Sequence, residues 1–240
     1  MQVAVLAGGL GTRLRPLTVS LPKPLLPVGS HAILEIILLQ LASQGFTRAT
    51  LCTGYHSHLI RAVVGDGSAL GIDVDYVVES GPTGTAGALR EIGPVDDALL
   101  VMNGDLLTQF DFSQIVRDHM RSVHDASVVT TPRRTTLDYG IVEASSDGTL
   151  ERWSEKPTLE HMVSTGVYVL GSRALSLVPS DGRFDMPDLF RAVLSSGGSV
   201  GALTTDNYWQ DIGRMEDYAQ ACEDVEADPD RFIPRRFQGP

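Results

Sequence analysis

Cysteine is scarce in this chain: Cys52 and Cys222 are the two among 240 residues, and their spacing pairs with nothing. That argues against a disulfide framework and against a cysteine-built zinc site. Cys52 sits in a strand-like run and reads as a small core residue. Positive charge is also short, with 19 Lys and Arg against 30 Asp and Glu and a net charge of −11. This balance speaks against nucleic acid and anionic membrane as partners. No apolar run reaches the ~18 residues of a membrane span, and no leader is read ahead of the first strand-like run. The expectation is a cytoplasmic chain. The six histidines show neither ligand spacing nor a paired nucleophile, and internal repeats and low-complexity segments are absent. What remains is 42% hydrophobic and 20% charged, an ordinary globule whose length suits one α/β domain with a full core.

Against that background the first residues stand out. The apolar run Val3–Ala7 breaks into Gly8-Gly9-Leu10-Gly11-Thr12-Arg13-Leu14-Arg15-Pro16-Leu17-Thr18, followed by Pro22-Lys23-Pro24-Leu25-Leu26-Pro27-Val28. A buried strand that empties into glycines and placed cations suits a polyphosphate. Glycines admit backbone N–H groups close to phosphate oxygens. Arg13 brings a planar fork of donors, and Lys23 a point charge between two prolines. Two familiar phosphate loops fail on spacing. The dinucleotide pattern G-x-G-x-x-G needs a glycine where Leu14 stands, and no glycine precedes Lys23 as a Walker-type loop requires. Standing alone, glycines after a first strand make tight turns as often as they cradle phosphate; Arg13 and Lys23 tip the reading to a nucleoside triphosphate site.

The stretch L-A-G-G-x-G-T-R-L-x-P-L-T with P-K-P-L-L-P-V resembles the opening motif of the sugar-1-phosphate nucleotidyltransferases, the sugar nucleotide pyrophosphorylases, and further matches continue to about Tyr218. The resemblance implies a Rossmann-like three-layer α/β/α nucleotidyltransferase fold with a mostly parallel mixed central sheet. It also implies transfer of a nucleoside monophosphate to a sugar 1-phosphate with release of pyrophosphate. Among relatives it is nearest to mannose- and heptose-1-phosphate guanylyltransferases, and cyclitol-phosphate guanylyltransferases look similar too.

Patterning along the chain agrees with an alternating α/β order. Strand-like runs fall at Val3–Ala7, Ala49–Thr53, Val74–Val78, Leu99–Met102 and Ser127–Thr131, with helical patterns at Ala32–Gln44, Ser57–Val64, Thr85–Ile92 and Phe112–Ser122. Asp111 followed by Gln114 reads as the N-cap of the helix from Phe112. Ala32–Gln44 is apolar nearly all round, which suits either a core helix or the face of a homodimer. Ser146-Asp147-Gly148 reads as a hairpin turn. The expected division is a single catalytic domain over 1–226, with nucleotide binding in 1–135 and sugar phosphate binding in 136–226. A loosely packed tail is expected over 227–240, its Arg235-Arg236 pair solvated.

Candidate chemistry follows the strand ends. Asn103-Gly104-Asp105 lies just past Leu99–Met102, where open α/β sheets bind ligands. Tyr208-Trp209-Gln210-Asp211-Ile212-Gly213 supplies a second carboxylate before a helix starting near Arg214. Two aspartates from distant parts of the chain suit Mg²⁺, which takes one or two carboxylates with waters and phosphate oxygens; the resemblance gives Asp105 and Asp211 this metal role. It assigns nucleotide contacts to Leu6, Ala7, Gly8, Gly9, Gly11, Thr12, Arg13, Lys23, Glu79, Gly84, Thr85, Asn103 and Gly104. Tyr139, Gly140, Glu155, Lys156, Thr165, Gly166 and Trp209 fall to the sugar phosphate. Ser164 stands where many relatives carry Asn, which leaves the acceptor open. Glu79 bears on the base: an amide there suits uracil, thymine or adenine, whereas a carboxylate only accepts and matches the adjacent donors of guanine. The implied catalytic set is Arg13, Lys23, Asp105, Lys156 and Asp211, the implied cofactor Mg²⁺, and the implied substrates GTP and a sugar or cyclitol 1-phosphate. A binding subunit of the same fold without catalysis is the rival, and it would be expected to lack one of these charged groups.

Overall fold

The computed structural model describes residues 1–79, 81–93, 95 and 97–234; Ser80 and the Arg235-Arg236 pair lie outside these. In chain order the elements are β1 (Gln2–Ala7), β2 (Pro27–Val28), β3 (His31–Ala32), α1 (Ile33–Ser43), β4 (Arg48–Thr53), α2 (Ser57–Val64), β5 (Asp73–Val78), β6 (Ala98–Asn103) and β7 (Leu106–Thr108). There follow α3 (Phe112–Arg121), β8 (Ala126–Thr136), β9 (Ile141–Ala144), β10 (Leu150–Ser154), β11 (Thr158–Gly171), α4 (Ser172–Leu175), α5 (Met186–Ser195), β12 (Val200–Thr204), β13 (Trp209–Asp211) and α6 (Met215–Ala227).

The central sheet has seven strands in the order β12-β8-β11-β6-β1-β4-β5. All neighbours are parallel except the pairs made by β11, which runs against both β6 and β8. The sheet is therefore mixed and mostly parallel, as the sequence implied. Strands covered on both faces read as continuous apolar runs, and β1 shows how they serve two layers. Val3, Val5 and Ala7 join the cluster under α1, while Ala4 and Leu6 face the cluster under α5. The chain moves outward from β1 through β4 to β5 and then returns to β6 on the other side of β1. That reversal creates a crevice past the carboxyl ends of β1 and β6, where an open α/β sheet takes its ligand.

Several elements differ from their sequence reading. Thr85–Ile92 forms only a 3₁₀ turn, Gly87–Glu91, because the N–H groups of Ala86 and Gly87 are both given to the Phe184 carbonyl at 3.0 and 2.8 Å. Helix α1 is buried within this one chain along nearly its whole length, so its apolar girth serves the core. The Asp111 cap accepts from Gln114 N–H at 2.7 Å, but the Gln114 side chain turns to Asp118 at 2.7 Å instead of closing the box. The tail expected to be loose is packed at Phe232 and Ile233, which are 1% and 2% exposed. Gln40 reaches from α1 to fasten it, donating to the carbonyls of Thr108 and Phe232 at 3.0 and 2.8 Å. The hairpin at Ser146–Gly148 is present between β9 and β10. Among the described residues no helix is long and apolar enough to cross a membrane.

Candidate active site

The loop leaving β1 is built by close approach. Gly8 lies so near Glu79 that a Cβ would stand 2.6 Å from its Oε2. Farther on, Thr18 donates its hydroxyl to the Gly11 carbonyl at 2.8 Å, and buried Leu14 pins the 3₁₀ turn Thr12–Leu14. Arg13, in that turn, remains exposed. Lys23 opens a further 3₁₀ turn, Lys23–Leu25, whose Pro24 and Leu25 are buried, and it is buried itself at 8% exposure.

Pairing of β7 with β13 sets Asp211 opposite Leu106, and Ile212 N–H donates to the Asp105 carbonyl at 3.0 Å. Two aspartates far apart in sequence are thus brought together. Lys23 forms an ion pair with Asp105, and its Nζ lies 4.0 Å from Asp211 Oδ1. Burial first, and then the Asp105 carboxylate, raise the Asp211 pKa above the ordinary carboxylate range, against the pull of Lys23 and Arg13. Asp105 Oδ1 is buried without a hydrogen-bond partner among the described residues. A partly buried carboxylate pair with an orphaned oxygen fits a hard divalent cation such as Mg²⁺, whose remaining ligands would come from water and phosphate oxygens. No group of three or more His, Cys, Asp or Glu that could hold a metal ion occurs among the described residues.

A cleft of about 350 Å³ opens beside this pair. Its walls include Leu6, Ala7, Gly8, Gly9, Lys23, Glu79, Gly84, Thr85, Asn103 and Gly104, all placed on the nucleotide side by sequence, together with Asp105, which the sequence reading gives to the metal. Gly11, Thr12 and Arg13 lie outside that lining, in the loop that leads to it. Glu79, half-buried at the end of β5, accepts from the Thr83 hydroxyl. Gly84 has φ +87°, and a Cβ there would meet the Phe184 carbonyl oxygen at 2.5 Å; only glycine fits that crossing. Thr85 is locked to the start of α5, its N–H donating to Asp185 Oδ1 at 3.0 Å and its hydroxyl accepting from Met186 N–H at 2.8 Å. Arg183 and Asp185 also line the cleft, and no role was read for them. Asp185 shares a capping box with Asp188, a local signal legible in sequence. Its bond to Thr85 joins residues a hundred positions apart, for which no local pattern exists.

The sugar-side residues divide into two groups. On the β9–β10 hairpin, Trp153 Nε1 donates to Glu155 Oε2 at 3.2 Å, and Gly140 packs against both side chains. Tyr139 is 82% exposed, and Lys156 is exposed with φ +43°. None of these four predicted residues, Tyr139, Gly140, Glu155 and Lys156, lines the cleft. The second group sits at the irregularity of β11 between Ser164 and Tyr168. There Gly166 abuts Asn103, and Trp209 Nε1 donates to the Thr165 carbonyl at 2.8 Å. Thr165 corrects the expectation: its side chain is 1% exposed and its hydroxyl donates to the Val129 carbonyl at 3.0 Å. It supports the strand, and the exposed hydroxyl beside it is that of Ser164.

Cys52 and Cys222 are both free. Burial, and secondarily Glu79 and Glu91, push the Cys52 thiol up to about 12, so it stays protonated and inert. His119 is buried, with Nδ1 2.8 Å from the Ser127 hydroxyl and a pKa lowered by desolvation, as a packing residue.

The family model for nucleotidyl transferases matches residues 2–228. The chain is 30% identical to a UTP–glucose-1-phosphate uridylyltransferase of Synechocystis sp., over 94% of this chain and 63% of that protein. It is equally 30% identical to a mannose-1-phosphate guanylyltransferase of Mycobacterium tuberculosis, over 94% of this chain and 64% of the relative. It thus spans slightly less than two thirds of these relatives' length. Among solved structures it is similar to HddC from Yersinia pseudotuberculosis complexed with GMP-PN, with a TM-score of 0.72 and 25% identity over 93% of this chain and 99% of that one.

Proposed function

Because the chain belongs to the nucleotidyl transferase family, we propose that it transfers GMP from GTP to a sugar or sugar-like 1-phosphate, releasing pyrophosphate. The observation that carries the guanylyl reading is Glu79, a half-buried carboxylate at the base end of the cleft. Acceptor-only oxygens complement the N1–H and exocyclic amine of guanine. The mannose-1-phosphate guanylyltransferase of M. tuberculosis and the HddC complex with GMP-PN support the same base, and GDP-mannose or GDP-heptose types of product fit the subgroup resemblance. The uridylyltransferase of Synechocystis favours UTP as the alternative.

The acceptor phosphate is largely dianionic near neutrality, its second pKa being about 6, so one of its oxygens attacks the α-phosphorus in line without a general base. A new P–O bond forms as the bond to the pyrophosphate breaks, and the protein's work is alignment and charge neutralisation. Asp105 and Asp211 would hold Mg²⁺, which supplies positive charge to the reacting phosphates when bound. Lys23 and Arg13 bear on the triphosphate and the departing pyrophosphate. Lys156 holds the acceptor phosphate, and Glu155 accepts from sugar hydroxyls.

Pyrophosphate release with Mg²⁺, crossing GTP, UTP, dTTP, ATP and CTP against hexose, heptose and cyclitol 1-phosphates, tests this. Release with GTP and one acceptor is expected. Release with UTP alone would retain the reaction and overturn the reading of Glu79. No release with any pair, while nucleotide still binds, would favour a binding protein.

A further inference from the structure

The base end of the cleft carries a cation that the proposed reaction does not use. Arg183 lines the same cleft as Glu79, Gly84 and Thr85. Its Nε donates to Asp185 Oδ2 at 3.1 Å, and Asp185 Oδ1 takes the Thr85 N–H at 3.0 Å. Asp185 is fixed in turn, since its own N–H donates to Asp188 Oδ2 at 3.1 Å. One carboxylate therefore fastens the guanidinium to the loop that forms the base pocket. With Nε occupied, neither terminal amino group of Arg183 makes a hydrogen bond among the described residues. Elsewhere in the cleft Lys23 is engaged by Asp105.

We propose that Arg183 is a specificity-determining residue that donates to O6 and N7 of guanine, while Glu79 accepts from N1–H and the exocyclic amine. The proposal rests on the guanylyl reading of Glu79. A guanidinium matches two adjacent acceptors in one plane, the geometry by which arginine reads guanine in nucleic acids. Adenine presents a donor at the six position, and the pyrimidines lack N7, so an accepting and a donating group on either side of the base together select guanine. Asp185 acts through its neighbours as a positioning residue, aiming Arg183 and holding Thr85.

Calorimetric binding to the full chain with Mg²⁺ separates the two contacts, using GTP, 7-deaza-GTP, which lacks N7, ITP, which lacks the exocyclic amine, and UTP. The Arg183 side chain is 71% exposed, so Arg183→Ala and Arg183→Gln should leave the core and the melting temperature unchanged. Wild type is expected to bind GTP more tightly than either analogue. In both variants GTP affinity falls by about tenfold to a hundredfold. The penalty for 7-deaza-GTP disappears, the penalty for ITP persists, and UTP binding does not move. Variants that keep the 7-deaza penalty overturn the proposal, as does an equal loss for GTP and UTP, which would place Arg183 on the phosphates. A wild type without preference for GTP over UTP overturns the Glu79 reading, and this one with it. A wild type that prefers GTP and whose variants are unchanged overturns the Arg183 assignment alone.

Discussion

Asp211 faces two opposed demands. In the proposed role of metal ligand it must be ionised, yet burial and the neighbouring Asp105 carboxylate raise its pKa above the ordinary 3.8. A carboxyl group with a raised folded-state pKa binds its proton more tightly in the folded chain. Its contribution to stability is present in full below the unfolded value and is lost as pH rises through the folded one. At neutral pH the charged Asp211 is therefore a net burden on the fold. Asp211→Asn is expected to raise the melting temperature at pH 7, with the gain vanishing toward pH 3.8, while turnover falls by at least about 10²-fold. Thermal melts across pH with a pyrophosphate assay check both halves; a lower melting temperature at pH 7 would refute the electrostatic account. The same melts test the metal. Mg²⁺ should stabilise wild type by mass action and leave Asp211→Asn unmoved, and the stabilisation should weaken as acid protonates the ligand. Both aspartates were legible in short contiguous motifs. The Thr165 side chain turns inward where that of Ser164 is exposed, because neighbours along a strand point to opposite faces.

Among elements, the loop between β5 and β6 draws its shape from α5. Gly84 crosses the Phe184 carbonyl at a positive φ, and the Asp185 carboxylate and the Phe184 carbonyl take up the N–H groups of Thr85 and of Ala86 and Gly87 respectively. Gly84→Ala places a methyl group against that carbonyl and strains the backbone by about 1–3 kcal/mol. The expected result is a rise in KM for the nucleotide of tenfold or more with a modest change in kcat, since the loop bounds the cleft and carries none of the catalytic set. Steady-state kinetics with nucleotide varied at saturating acceptor measure it; an unchanged KM would remove the loop from nucleotide binding. A helix was expected over Thr85–Ile92 from its pattern. It shrinks to a 3₁₀ turn because its first donors are spent on a segment a hundred residues downstream.

At the scale of the whole molecule, the C-terminal residues close the fold over α1. Phe232 packs at 1% exposure, and its carbonyl accepts from Gln40. Phe232→Ala should therefore cost about 3–5 kcal/mol of stability, seen as a lower denaturation midpoint, whereas a loosely attached tail would show no change. Net charge of −11 is compatible with the anionic substrates proposed above because Lys23 and Arg183 both line the one cleft and Arg13 lies near enough to pull on the Asp211 carboxyl. Composition could not show that placement. The sequence by itself determined the α/β class, the glycine loop with Arg13 and Lys23, the two aspartates and the carboxylate at Glu79. Each of these is carried by a contiguous motif whose spacing is set by local backbone geometry. Only the tertiary structure decided that Asp211 lies beside Asp105, that the segment leading into α5 holds the loop between β5 and β6 and brings Arg183 to the same cleft, that Thr165 turns inward and that Phe232 and Ile233 join the core. Those outcomes depend on strand order, register and long-range hydrogen bonds, which join residues too far apart in the chain for any local pattern to record.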